Sequence, residues 1–395
     1  MEKRLVYYER VSAGTGLEWT ARILGNITLE VLIDGKKSNQ ILTEDAMKRF
    51  SILIAALCLC LTGCGKQTTE ATAQIFAMDT VMEVAAYGEH AEQAVKYTEK
   101  RIEELENRLS RTKAHSLVSG LNRDGSIRHL TYDYWNLIAR AKEYRDATNG
   151  AFDITIAPVM DAWGFTGDSF RVPEQSELDT LLKKVNSDAI QMLGSPSDSV
   201  TLGEGQAIDL GGIAKGYTSD CVEAVFYDHE IENGKISLGG NVFVLGTKPD
   251  GSDWRVGIKD PRNESGLAAI LSLRDAYAIT SGGYERYFEE NGKTYHHIID
   301  PSTGYPADSG LLSVTVVAAD NGPDWAGAGN GAMCDAFSTA LFVMGEEQAL
   351  DFWRNGGYDF DLVLVTEDGR VVITAGLADR FEEVKDSGYT YETVS

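Results

Sequence analysis

The residues best suited to chemistry fall in three places. Asp209, Gly211, Gly212 and Lys215 lie close together in Ile208-Asp209-Leu210-Gly211-Gly212-Ile213-Ala214-Lys215-Gly216-Tyr217. The apolar run before them reads as a strand ending at Asp209, and the residues after them read as a helix through Val225. Strand, glycine turn and helix suit a phosphate, because glycines admit close backbone approach and free N–H groups at a helix start favour an anion. Lys215 falls in the first helical turn, where the dipole does not favour a cation, so a local anionic partner is the reason to place it there. A tight turn with a surface lysine is the plain alternative. Asp335 and Thr339 are four apart, so on a helix opening at Asp335 both oxygens share one face. An N-capping Asp followed by a helical Thr accounts for an isolated pair equally well. His296 and His297 are adjacent, and strand alternation sends them to opposite faces, so one at most serves a given site. Histidine titrates near working pH and suits proton transfer.

The elements that must position these groups follow from periodicity. Phe76 to Val84 alternates like a strand. Ala91, Ala94, Val95, Thr98, Ile102, Leu105 and Leu109 recur at helical spacing, with charge on the opposite face. A second helix spans about Tyr132 to Ala147 and stops at Asn149-Gly150. A third runs from Glu174 to Val185 behind Pro173, and Ile190–Leu193 and Ser199–Leu202 read as short strands. Trp254–Lys259 is a strand running into a turn, a hairpin is expected at Asn291-Gly292, and Leu311–Ala319 is a strand. A loop rich in Gly and Asn is expected over 320–334, before the Asp335 helix. The chain closes with strands Asp361–Thr366 and Val371–Thr374 around Asp368-Gly369. Many short strands broken by a few helices, without a regular βαβ rhythm, predict an α+β fold with mixed, largely antiparallel sheets and flanking helices.

The 395 residues carry a net charge of −24 with 43% hydrophobic residues. That length supports a large core, and that charge argues against nucleic-acid binding. It also means that an anionic ligand needs a local cation. Of five cysteines, Cys58, Cys60 and Cys64 cluster, leaving Cys221 and Cys334, so no disulfide framework is expected. Met47-Lys48-Arg49-Phe50 opens a basic segment, followed by an apolar run, Ser51 to Leu61, and by Leu61-Thr62-Gly63-Cys64. This is the layout of a secretory signal, 47–63, too short to span a bilayer comfortably. Its end resembles a lipobox whose cysteine, Cys64, is lipidated, with residues 64–75 as a tether. Residues 1–46 then precede the signal. A translation start at Met47 is the simplest account and a genuine extension the alternative; Ile27 to Ile33 has strand character.

Six blocks in order resemble the ApbE family of FAD:protein FMN transferases. They are Ala77-Met78-Asp79-Thr80; Gly150-Ala151-Phe152-Asp153-Ile154-Thr155 with Trp163-Gly164-Phe165; the Asp209–Tyr217 string; Ser237-Leu238-Gly239-Gly240; Thr280-Ser281-Gly282-Gly283; and His297-Ile298-Ile299-Asp300-Pro301. The segments Leu109–Thr112 and Ser116–Asn122 resemble a family loop, with Thr112 where many relatives carry an aromatic residue. The resemblance covers residues 76 to about 375 and implies a single catalytic domain, expected at 76–385. It implies transfer of the FMN half of FAD to a Thr or Ser hydroxyl of another protein, with AMP leaving. It places Met78, Ala151, Phe152, Asp153, Asp209, Lys215 and Ile299 at the cofactor. It makes Asp335, Thr339 and the Gly212 carbonyl the Mg2+ ligands, a hard-oxygen set suited to that ion, and selects His297 as the general base. The implied acceptors are flavoproteins with an Asp-x-x-Ser/Thr motif, such as redox-pump subunits, and the implied location is the outer face of a bacterial membrane. An FAD pyrophosphatase on the same scaffold, or a lipoprotein that only binds a small molecule, are the competing readings.

Overall fold

The computed structural model describes residues 69–395, apart from 168, 195–197, 264 and 323–328, together with three strands nearer the N-terminus. Those strands, Trp19–Leu24, Asn26–Ile33 and Lys36–Ser38, form a small antiparallel sheet in a unit covering Met1–Gln67. The second takes in the strand character expected at Ile27–Ile33. The signal segment and Cys64 lie outside the described residues.

The second unit, Thr68–Ser395, is built on a nine-stranded sheet. In chain order its strands are β1 (Glu70–Ala77), β2 (Thr80–Tyr87), β3 (Asn233–Leu238), β4 (Asn241–Leu245), β5 (Ala276–Gly282), β6 (Leu311–Ala319), β7 (Asp361–Thr366), β8 (Arg370–Thr374) and β9 (Thr390–Val394). Chain order is also spatial order across the sheet. Every neighbouring pair is antiparallel except β8 and β9. The α+β expectation holds, with a wider sheet than the sequence suggests: β1 takes in residues read as tether, and β9 lies beyond residue 385.

Three helices cover one face: α1 (Ala91–Leu109), α2 (Ala214–Asp228) and α3 (Asn330–Asn355), the last broken at Gly345. The seven periodic residues of α1 are its buried residues. They join a core with Met82, Ile236, Leu238, Ile279, Val316, Phe337 and Leu341. A fully buried aliphatic side chain contributes about 1.5–3 kcal/mol, so this shared layer fixes where the helices sit. The other face packs on a small sheet of Trp254–Lys259, Leu267–Leu273 and Phe381–Glu383. A third cluster gathers Trp163, Phe165, Leu178 and Ile299. Helix Tyr132–Ala147 and the hairpin around Asn291-Gly292 form as expected.

Several expectations are corrected. Phe76–Val84 is not one strand. It is the tip of the β1–β2 hairpin, with Met78 and Asp79 at φ 50° and 60° in the two-residue turn. Two left-handed residues match the strand twist there. Residues 117–124 are a helix capped by the Ser116 hydroxyl, which accepts from Ser119 N–H, rather than a loop. Helix α3 begins at Asn330, so Asp335 lies inside it and is not its N-cap. The run up to Asp209 is not a strand. Ile208 exchanges both backbone bonds with the Asn122 side chain, at 2.8 and 2.9 Å, and Asp209 N–H donates to Ile154 O at 2.7 Å. A side-chain amide therefore replaces a sheet neighbour.

Helices α2 and α3 cross at glycine. A Cβ on Gly216 would meet the Gly331 carbonyl oxygen at 2.1 Å. Gly216→Ala is expected to destabilise the fold by about 1–3 kcal/mol through overpacking, read as a lower urea midpoint. An unchanged midpoint would mean that the crossing can widen at no cost.

Candidate active site

The start of α2 is the centre of the site. The two glycines before it let the chain turn against Phe152 and α3. A Cβ on Gly212 would stand 3.1 Å from the Phe152 ring and 3.4 Å from Thr339 Oγ1. The helix start is less open to an anion than the sequence suggests. Ala214 N–H donates to Leu210 O, and Gly216 N–H donates to Asp335 Oδ2 at 2.8 Å.

Asp335 is buried and one of its oxygens is tied to α2. The other has no hydrogen-bond partner among the described residues. Thr339 lies one turn further along α3 and contacts Ser281 Oγ at 3.1 Å. A buried carboxylate with a spare oxygen, a hydroxyl one turn away and the close approach of Gly212 together fit a hard cation such as Mg2+. Among the described residues no three His, Cys, Asp or Glu side chains cluster as a metal site, so such a set must draw on hydroxyl and backbone oxygen.

Helices α2 and α3 are clasped reciprocally. Asp220, buried on α2, accepts from Gly329, Gly331 and Ala332 N–H at 3.1, 2.7 and 2.9 Å, which caps α3. Burial pushes its carboxyl up to about 7 in spite of those three donors. One turn on, Glu223 accepts from Tyr277 Oη at 2.5 Å, and its other oxygen is buried with no hydrogen bond of normal geometry among the described residues. Burial, then the facing Asp320 carboxyl, push Glu223 up to about 9. The raised value means that the folded state holds the proton. This stability is full below the unfolded value of 4.5 and is lost as pH rises toward about 9. Glu223→Gln is expected to flatten the fall in stability between pH 6 and 9, followed by denaturation at several pH values. A slope equal to the parent's would refute this protonation.

The two histidines divide as the alternation requires. His296 is structural: its Nε2 meets Ala307 O at 3.0 Å, its Nδ1 accepts from Ile298 N–H, and its ring packs edge-on against Phe342. His297 Nδ1 meets Arg286 O at 3.1 Å. A carbonyl only accepts, so the proton sits on Nδ1 and Nε2 keeps its lone pair. Burial, then the charge of nearby Lys215, lower the imidazole to about 4, so it is neutral at physiological pH.

Other expected residues have their own roles. Met78 N–H is held by Glu106 Oε1 at 3.0 Å, and its sulfur lies 3.7 Å from Thr218 Oγ1, whose hydrogen goes to Ala214 O at 2.7 Å. Phe152 is buried against Gly212, and Ala151 precedes it, half-buried. Asp209 accepts from Gly211 N–H at 2.7 Å and from Arg111 at 3.1 Å. Arg111 also grips Asp161 at 2.7 Å and Thr166 at 2.9 Å. It therefore holds the glycine turn to helix Ala157–Trp163, a role no spacing reveals. The structure does not bring the Asp153 and Ile299 side chains into this group. Asp153 spends its carboxylate on Thr155 and Ser187, and Ile299 packs with Trp163 and Phe165. Cys221 and Cys334 are buried free thiols.

Residues 78–362 match the ApbE family model. The FAD:protein FMN transferase of Treponema pallidum is 30% identical over 307 residues, covering 74% of this chain and 82% of that protein. That of Klebsiella pneumoniae is 33% identical over 294 residues, covering 73% and 86%. The crystal structure of an ApbE protein from Thermotoga maritima, 30% identical, superposes with a TM-score of 0.69 over 80% of this chain and 97% of that one.

Proposed function

The chain belongs to the ApbE family, a family of flavin transferases, and we propose that it moves the FMN half of FAD onto a Thr or Ser hydroxyl of another protein. AMP leaves and Mg2+ is required. The observation that carries this reading is the convergence of Gly212, Asp335 and Thr339 where α2 meets α3, with Lys215 in the first turn of α2.

His297 Nε2 takes the proton of the acceptor hydroxyl. The hydroxyl oxygen bonds to the phosphorus on the FMN side, and the bond from that phosphorus to the bridging oxygen breaks toward AMP. Such a reaction needs positioning and charge neutralisation more than covalent help from the protein. Lys215 supplies positive charge at the turn, and Arg111 keeps that turn in place through Asp209. Asp335, Thr339 and the Gly212 carbonyl would hold Mg2+, which supplies neutralisation of pyrophosphate charge when bound. Phe152, Ala151 and Met78 line the approach for the flavin.

The test uses residues 65–395 with FAD, Mg2+ and a protein carrying Asp-x-x-Ser/Thr, followed by intact mass of the acceptor. An added FMN mass that disappears on chelation supports the transferase. AMP accumulating beside an unmodified acceptor means a pyrophosphatase, and intact FAD means a binding protein.

The same reading puts the enzyme on the outer face of the membrane, held by lipid on Cys64, where redox-pump subunits and other exported flavoproteins are its acceptors. Its support is the basic start at Lys48-Arg49, the apolar run and Leu61-Thr62-Gly63-Cys64. Cells fed a labelled fatty acid are expected to label the parent and not Cys64→Ala; equal labelling would remove the anchor.

A further inference from the structure

We propose that Ser281 is a positioning residue that turns the lone pairs of Thr339 toward the cation site. The inference rests on the metal reading above. Four groups stand in a row. Thr339 Oγ1 is 3.1 Å from Ser281 Oγ, Ser281 Oγ is 2.8 Å from Ser338 Oγ, and Ser338 Oγ is 2.9 Å from the carbonyl oxygen of Asp335. Each hydroxyl has one hydrogen to donate. The carbonyl can only accept, so Ser338 spends its hydrogen there. Ser338 then accepts from Ser281. Ser281, its hydrogen spent, accepts from Thr339. With all three bonds made, no other polarity is allowed.

The consequence falls on Thr339. Its hydrogen points at Ser281, which leaves its lone pairs for the other side, where Gly212 approaches. A cation takes oxygen lone pairs and is repelled by a hydroxyl hydrogen. Asp335 is oriented in the same manner by a donor behind it, the Gly216 N–H. Ser281 lies in the last two residues of β5 and Ser338 is fully buried on α3, so the row ties the sheet to the helix that carries both ligand side chains. Partners behind a metal ligand commonly change metal affinity by about 10–100-fold when removed.

The test is Mn2+ binding followed by electron paramagnetic resonance, with ADP present as a pyrophosphate that is not turned over, and with thermal stability measured on each variant. Ser281→Ala is expected to weaken Mn2+ binding about tenfold or more. Ser281→Thr keeps the hydroxyl and is expected to bind within about threefold of the parent, given that spread. Ser338→Ala, which touches neither ligand side chain, is expected to weaken binding as well, because Ser281 is then free to donate to Thr339 and occupy its lone pair. A packing role alone predicts no loss in Ser338→Ala and no rescue by Ser281→Thr, and either finding overturns the proposal. Parent-like binding by Ser281→Ala, with binding lost in Asp335→Asn, refutes the relay and leaves the metal reading intact. Parent-like binding by Asp335→Asn removes the metal reading and this inference with it.

Discussion

Asp335→Asn is expected to lower transfer by about a hundredfold to a thousandfold at saturating FAD, the scale seen when a preorganised electrostatic contact is removed. It is also expected to abolish the response to added Mg2+. The substitution is chosen for what it keeps. An amide oxygen still accepts from Gly216 N–H, so the α2–α3 clasp survives while the anionic oxygen is gone. Asp335→Ala loses both, and leaves a buried N–H unsatisfied at a cost of about 1–3 kcal/mol. The pair therefore separates chemistry from folding: similar activity loss in both, with a lower urea midpoint only in Ala. Initial rates across a Mg2+ titration check it. A Mg2+ midpoint in Asp335→Asn equal to the parent's would falsify the metal role.

His297→Ala is expected to lose about 10²–10⁴ in transfer rate while keeping FAD affinity, the range for a positioned general base. Its pH behaviour supplies a second check. Burial, then the charge of Lys215, lower the imidazole to about 4 in the ligand-free protein, below its ordinary value of 6.5. The base is then unprotonated across the neutral range, and no acid limb from this group is expected near pH 6.5 in the free enzyme. The sign for stability follows. The unfolded chain binds the proton more readily, so the contribution of neutral His297 is present above 6.5 and is lost as pH falls toward about 4. His297→Gln cannot take that proton, so its urea midpoint should drop less than the parent's from pH 7.5 to pH 5. Equal drops would show that the imidazole is not held neutral. Unimpaired transfer in His297→Ala would remove it as the base.

Much of the fold is legible in local pattern. The face of α1 shows because one stripe of small and branched residues must meet the sheet. The hairpin at Asn291-Gly292 shows because that dipeptide takes the turn its strands require. The errors cluster where a backbone is satisfied by something distant in the chain. Ile208 has apolar strand character but pairs with the Asn122 amide, 86 residues away. Helix α3 starts before Asp335 because Asp220 caps it across 109 residues and more. No window around residue 330 contains that cap.

The candidate site divides along the same line. Residue types and spacing by themselves determined the ingredients: an Asp and a Thr one helical turn apart, two histidines on opposite sides of a strand, and a glycine pair just before a helix. Those follow from local geometry, so they are readable from the sequence. Only the tertiary structure decided which residues meet. It puts Gly212 against Thr339, turns the Asp335 carboxylate onto Gly216, and makes Arg286 O the partner that leaves His297 Nε2 free. It also withdraws Asp153 into a cap for Thr155 and Ser187 and Ile299 into an aromatic core. Hydrogen-bond polarity and burial depend on partners brought from elsewhere in the chain, and no spacing encodes those partners.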